Sequence, residues 1–158
     1  MNQISVMPEQ VKVAEGNLRM VAAGVSSSIV ICLYERERKI GGMLHAVLPG
    51  NLDFCGRSAR FVQAGLDILL AQLKEFGAHP YALLAKIVGG AKLFSVGAKS
   101  KDIHVGKKNI LSAREALERQ QIKIIGEDVG GRYGRTVHFN LEDGMVTIFS
   151  AEQFCSVI

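Results

Sequence analysis

The sequence has no tryptophan, only three prolines and three cysteines, and no apolar run approaching the length of a bilayer. Each shortage excludes something. A membrane-spanning helix needs about 20 predominantly apolar residues, so none is expected. The opening "MNQISVMPEQ" has neither the basic start nor the apolar core of a secretory signal. Cys32, Cys55 and Cys155 are odd in number and far apart, with no CxxC pair and no histidine at ligand spacing. That pattern argues against a disulfide framework and against a zinc site, and no metal or cofactor is expected. Lys and Arg exceed Asp and Glu to give a formal charge of +4, densest around "AKSKDIHVGKK". Interleaved aromatics and a basic recognition helix are both missing there, so the segment reads as solvated surface and no nucleic-acid partner is expected. A soluble cytoplasmic protein with reduced thiols, not inserted in a membrane, is the expectation.

What is present fits a folded core. The chain has 158 residues, 48% hydrophobic and 22% charged, without biased tracts or repeats. That is enough to bury roughly two thirds of the unfolded surface in one unit, so residues 1–158 are expected to form a single domain.

Runs rich in β-branched residues predict strands over Leu18 to Ala23, Ile29 to Tyr34, Ile40 to Leu48, Tyr81 to Val88 and Ile122 to Ile125. "RTVHFN" and "MVTIFSA" flank "LEDG", whose Asp143-Gly144 predicts a hairpin because glycine accepts the positive φ of such turns. Val62, Leu66, Leu69, Leu70 and Leu73 recur at helical spacing between a candidate N-cap, Ser58, and a candidate C-terminal glycine, Gly77. A second helix is expected over Lys108 to Gln120, with Leu111, Ala113, Ala116 and Leu117 as its apolar face. The helices interrupt the strands without regular βαβ alternation. The fold class is therefore α+β, with antiparallel pairing prominent.

Chemistry-bearing residues concentrate in "GVSSSIVIC" and "GGMLHAVLP". A glycine-containing turn before a buried strand can expose one side chain and aim amide N–H groups at a developing oxyanion. A histidine on a neighbouring strand can take that side chain's proton. By spacing alone, His45 reads more readily as a hydrogen-bonded core histidine than as a base. "VGGAK" lacks the Lys-Ser/Thr ending of a phosphate loop, and tight turns explain Gly89, Gly90, Gly130 and Gly131.

These segments resemble the CheD family of chemoreceptor glutamine deamidases, whose hallmark is a G-L-G-S-C turn followed by V-A-V-C and then G-G-M-A-H-x-x-L-P. "LLAKIVGGAKLF", "VGKKNI" and "IIGEDVGGRYGRTVHFNLEDG" are similar, in order, to that family's A-K-I-x-G-G-A-x-M-F, I-G-x-R-N and E-D-x-G-G-x-x-x-R-x-V. The resemblance covers about Val13 to Ile148. It implies a sandwich of mixed, largely antiparallel sheets with flanking helices, similar to the catalytic domain of deamidating bacterial toxins. It also implies a reaction in which a cysteine attacks a receptor glutamine carboxamide, ammonia leaves, and water releases glutamate.

Carried over residue by residue, His45 is the base and Ser28 stands at the nucleophile position. Ala22 stands where the family has a threonine that holds the histidine. Ser26 replaces a turn glycine, and Ser26 with Ser27 forms the turn that would supply oxyanion donors. The resemblance gives Cys32 the place of a second family cysteine, where a buried hydrophobe is expected, and Cys55 is expected to be a surface thiol. Phe94, in the segment like the family's phosphatase-contact region, is a candidate for docking, with core packing as the competing role. A cysteine-to-serine exchange in an active enzyme would explain Ser28 alone, whereas a degenerate paralogue accounts for Ala22 and Ser26 as well. The expectation is a pseudoenzyme that binds chemoreceptor cytoplasmic domains or a CheC-type phosphatase; the alternative is a deamidase working through Ser28 and His45.

Overall fold

The computed structural model describes residues 2–50, 58–92, 105–151 and 155–158. In chain order its elements are β1 (Asn2–Ser5), β2 (Gln10–Glu15), β3 (Leu18–Val25), β4 (Ile29–Glu35), β5 (Ile40–Ala46), α1 (Val62–Phe76), a short 3-10 turn (Pro80–Ala82), β6 (Leu84–Gly89), α2 (Val105–Arg119), β7 (Lys123–Val129), β8 (Arg135–Asn140), β9 (Val146–Ser150) and β10 (Ser156–Val157). One five-stranded sheet runs β1-β3-β8-β9-β10 and the other β2-β5-β4-β6-β7. The pairs β1/β3 and β6/β7 are parallel. The other pairings are antiparallel. The fold is α+β, a sandwich of two mixed sheets with both helices on one outer face. No helix among the described residues is long and apolar enough to cross a membrane.

The layering follows from β4 and β5. "IVICLYE" is apolar at nearly every position rather than at alternate ones, the pattern of a strand covered on both faces, and all seven of its residues are buried. Ile29, Ile31 and Leu33 pack with Leu66, Leu69 and Leu73 of α1 and Ala113 and Leu117 of α2. The intervening Val30, Cys32 and Tyr34 pack against Met20, Val137, Phe139 and Ile148 of the opposite sheet. In β5, Leu44 and Ala46 belong to the helix-side core and Met43 to the inter-sheet core. Strand alternation therefore turns His45 between the sheets.

Several local expectations need correction. Ser58 is not the N-cap of α1. Phe61 holds that position without a side-chain cap, and the Ser58 hydroxyl instead accepts from the amide of Arg60 at 3.1 Å. Gly77 does terminate the helix, at φ 109, donating to the carbonyls of Leu73 and Lys74. Leu111 is exposed, and the buried face of α2 runs through Gly106, Asn109, Ile110, Ala113, Ala116 and Leu117. Leu111 falls outside this face because residues two apart on a helix, here Leu111 and Ala113, point to different sides. Tyr81 lies in the 3-10 turn started by Pro80, since proline fixes its own φ and donates no ladder hydrogen bond. The C-terminal hairpin forms between β8 and β9, closed by bonds from the Gly144 amide to the Asn140 carbonyl (2.8 Å) and from the Asn140 amide to the Met145 carbonyl (2.9 Å).

Candidate active site

β3 belongs to one sheet and β4 to the other, so the turn joining them, Ser26–Ser28, crosses from sheet to sheet at the rim of the inter-sheet core. His45 pairs with Val30 of β4. Ser28, two residues before Val30, projects to the same side and is a diagonal neighbour of His45. The Ser28 Oγ and the His45 Nε2 are 2.9 Å apart. Seventeen positions of sequence are closed by one strand pairing and one turn.

The other imidazole nitrogen settles the tautomer. Nδ1 lies 3.3 Å from the carbonyl oxygen of Val6, and a carbonyl can only accept. Nδ1 therefore carries the hydrogen, and the Nε2 lone pair is left to accept from the Ser28 hydroxyl. Val6 is itself fixed by donating its amide to the Val21 carbonyl at 2.8 Å, while the amide of Glu9 donates to the His45 carbonyl at 2.8 Å. The segment between β1 and β2 thus clasps the histidine from both its ring and its backbone. His45 is fully buried. Burial pushes its pKa below the ordinary imidazole value, with the Val6 hydrogen bond opposing in part, so the neutral, proton-accepting form is favoured.

Ala22 is fully buried in the inter-sheet core and pairs with Val137; it brings no polar side-chain atom to the imidazole. Ser26 does not adopt a left-handed backbone. The positive φ near the turn falls at Gly24, at 64°, so a side chain at position 26 meets no conformational penalty.

The three serine carbonyls of the turn are all bonded. Ser26 O accepts from the Ala91 amide at 2.7 Å and Ser28 O from the Gly90 amide at 2.8 Å. Ser27 O accepts from the Asn109 side chain at 2.8 Å. Among the described residues no carbonyl accepts from the amides of Ser27 or Ser28.

Val6 and Asn109 had no place among the sequence-derived candidates. Val6 acts through its main chain, which side-chain identity does not report. Asn109 left a trace: a polar residue on the apolar stripe of α2 beside Ile110 and Ala113. Cys32 lies on β4, 2% exposed, its thiol pushed far above the ordinary range by burial, which makes it a poor nucleophile. Phe94 and Cys55 lie outside the described residues. Among the described residues no group of His, Cys, Asp and Glu is placed to hold a metal ion.

A hydroxyl on a sheet-crossing turn, an imidazole hydrogen-bonded to it and a carbonyl fixing that imidazole thus come together on a two-sheet α+β sandwich. Comparison with known proteins gives the family. Residues 48–150 match the family described as CheD chemotactic sensory transduction. The chain is 36% identical over 153 residues to the "Probable chemoreceptor glutamine deamidase CheD 2" of Geobacter metallireducens, covering 95% of this chain and 94% of that protein. It is 35% identical over 148 residues to the "Probable chemoreceptor glutamine deamidase CheD" of Pyrococcus horikoshii, covering 92% and 91%. It is 34% identical over 158 residues to the "Chemoreceptor glutamine deamidase CheD" of Halalkalibacterium halodurans, covering 93% and 97%. The chain belongs to the CheD family.

Proposed function

We propose that this chain is a CheD-family protein directed at the cytoplasmic domains of chemoreceptors, with negligible deamidase turnover, serving as a module that binds those receptors or a CheC-type phosphatase. The observation that carries the reading is the Ser28 hydroxyl, in the place of the family's thiol, 2.9 Å from His45. In the family reaction a thiolate adds to the glutamine carboxamide carbon, the C–N bond breaks as ammonia leaves with a proton from the base, and water then hydrolyses the acyl-enzyme to glutamate. A thiol with a pKa near 8.5 is already a few per cent ionised at neutral pH, whereas a serine hydroxyl depends wholly on its base. Burial makes His45 a weaker base than an ordinary imidazole. The serine therefore needs more from a partner that offers less.

Two observations favour the second reading, a deamidase working through Ser28. The Val6 carbonyl holds His45 in the tautomer a base requires, and the amides of Ser27 and Ser28, without an acceptor among the described residues, could receive an oxyanion. Ammonia release and binding, measured together on receptor cytoplasmic fragments, separate the two. The first reading expects retained binding and no ammonia above background; ammonia release abolished by His45→Ala selects the second; absence of both binding and release removes both.

A further inference from the structure

Helix α2 reaches the pair through one side chain. Asn109 is fully buried, and its Nδ2 donates to the Ser27 carbonyl at 2.8 Å and to the Val47 carbonyl at 2.9 Å. Ser27 adjoins Ser28, and Val47 lies two residues beyond His45. One amide group, with one hydrogen for each carbonyl, thus spans the two segments that carry the reacting side chains. Because both partners are acceptors, the orientation of the amide is fixed: Nδ2 faces them, and Oδ1 is left buried without a partner among the described residues. One turn earlier on the same face, Gly106 lets α2 approach closely. A Cβ there would come within 2.3 Å of the Ala91 carbonyl and 2.6 Å of the Gly90 carbonyl, and Gly90 and Ala91 are the residues whose amides hold Ser28 O and Ser26 O.

We propose that Asn109 is a positioning residue, a two-carbonyl clamp that fixes the serine turn against the end of β5 and so sets the Ser28–His45 contact. The inference rests on the reading of Ser28 and His45 as the family's nucleophile and base positions, and not on their turnover. The clamp acts on separation and not on the imidazole itself, whose ring is turned by Val6 on the far side. Loss of the clamp therefore releases Nε2 from Ser28 and leaves Nδ1 on Val6.

The test is nitrogen-15 NMR of the His45 ring in the otherwise unaltered protein, which needs no turnover. Asn109→Ala and Asn109→Asp are expected to remove the acceptor signature of Nε2 while Nδ1 stays protonated and bonded. Ser112→Ala, which deletes the other α2 side-chain bond to this region (Ser112 Oγ to the Gly50 amide, 2.9 Å), should leave both nitrogens unchanged. In a Ser28→Cys background, the pH profile of alkylation of the introduced thiol should move, in the Asn109 variants, toward the free-thiol value of about 8.5. Asn109→Ser keeps one donor and carries the test if the other variants do not fold. In the unaltered protein the Asn109 side-chain hydrogens should exchange slowly with solvent. The proposal is overturned by a folded Asn109 variant with an unchanged Nε2 resonance, by an equal effect of Ser112→Ala, or by fast exchange of the Asn109 amide. Absent ammonia release with intact NMR signatures would count against the deamidase chemistry and leave the clamp standing.

Discussion

The carbonyl of Val6 accepts the Nδ1 hydrogen of His45 at 3.3 Å, so the group orienting the imidazole belongs to the main chain. Where the family's threonine would stand, Ala22 is sealed into the inter-sheet core. Ser28→Cys alone is therefore expected to produce measurable ammonia release from receptor fragments, with no need for a second change at position 22. Ala22→Thr, by adding atoms to a filled core, should cost about 1–3 kcal/mol of stability and gain little activity. Both effects are read from an ammonia assay paired with urea unfolding. Activity appearing only in the double variant would show that the carbonyl does not replace the hydroxyl.

The same burial predicts a pH dependence of stability. His45 has its folded pKa lowered by desolvation, so the unfolded chain binds the proton more readily than the folded one. The stabilisation is fully present above the unfolded imidazole value of about 6.5 and is lost as pH falls from there through the folded pKa. Urea midpoints should drop between about pH 7 and pH 5, and His45→Gln should flatten the slope. His138, also lowered by burial and by Arg19, contributes with the same sign, so His138→Gln is the control. An unchanged slope in His45→Gln would remove His45 as the source.

How much of this was written in side-chain identity varies by element. The unbroken apolar run of β4 and the Asp143-Gly144 turn are local signals, and both appear where the sequence places them. β2 escaped because "QVKVAE" is an edge strand with only half-buried residues before its exposed end. It needs its neighbour β5 rather than its own hydrophobicity. The continuation of β7 through Gly126, Glu127 and Asp128 was hidden for a similar reason, since those residues have weak strand preference and are recruited by parallel pairing with β6. At the site, Ser28 and His45 were legible through the motif resemblance. Val6 was not, because any residue supplies a carbonyl.

Gly89 tests the packing behind the serine turn. Its φ is 118°, and a Cβ there would lie 2.4 Å from the Ser28 carbonyl oxygen. Gly89→Ala should therefore cost about 1–3 kcal/mol in backbone strain and also push the turn away from β6. The expected result is a lower unfolding midpoint together with loss of the Ser28–His45 hydrogen bond in the His45 nitrogen-15 spectrum. A destabilised variant that keeps this bond would mean that the turn is held by contacts other than those to β6.

Phe94 poses the last question, because docking and core packing predict opposite results for one substitution. In the CheD resemblance it falls in the segment near the phosphatase-contact region, and it lies outside the described residues. If it docks, Phe94→Ala should weaken binding to a CheC-type phosphatase by more than about 2 kcal/mol, the range of an aromatic hot spot, while the urea midpoint and receptor binding stay unchanged. If it packs in the core, the same substitution should cost about 3–5 kcal/mol of stability and weaken every activity together. Phe94→Leu sharpens the contrast, since an aliphatic side chain largely restores a core but only partly restores an aromatic contact. Phosphatase affinity measured by calorimetry beside a urea titration of each variant decides between them, and a stable Phe94→Ala variant with full affinity would rule out docking at this position.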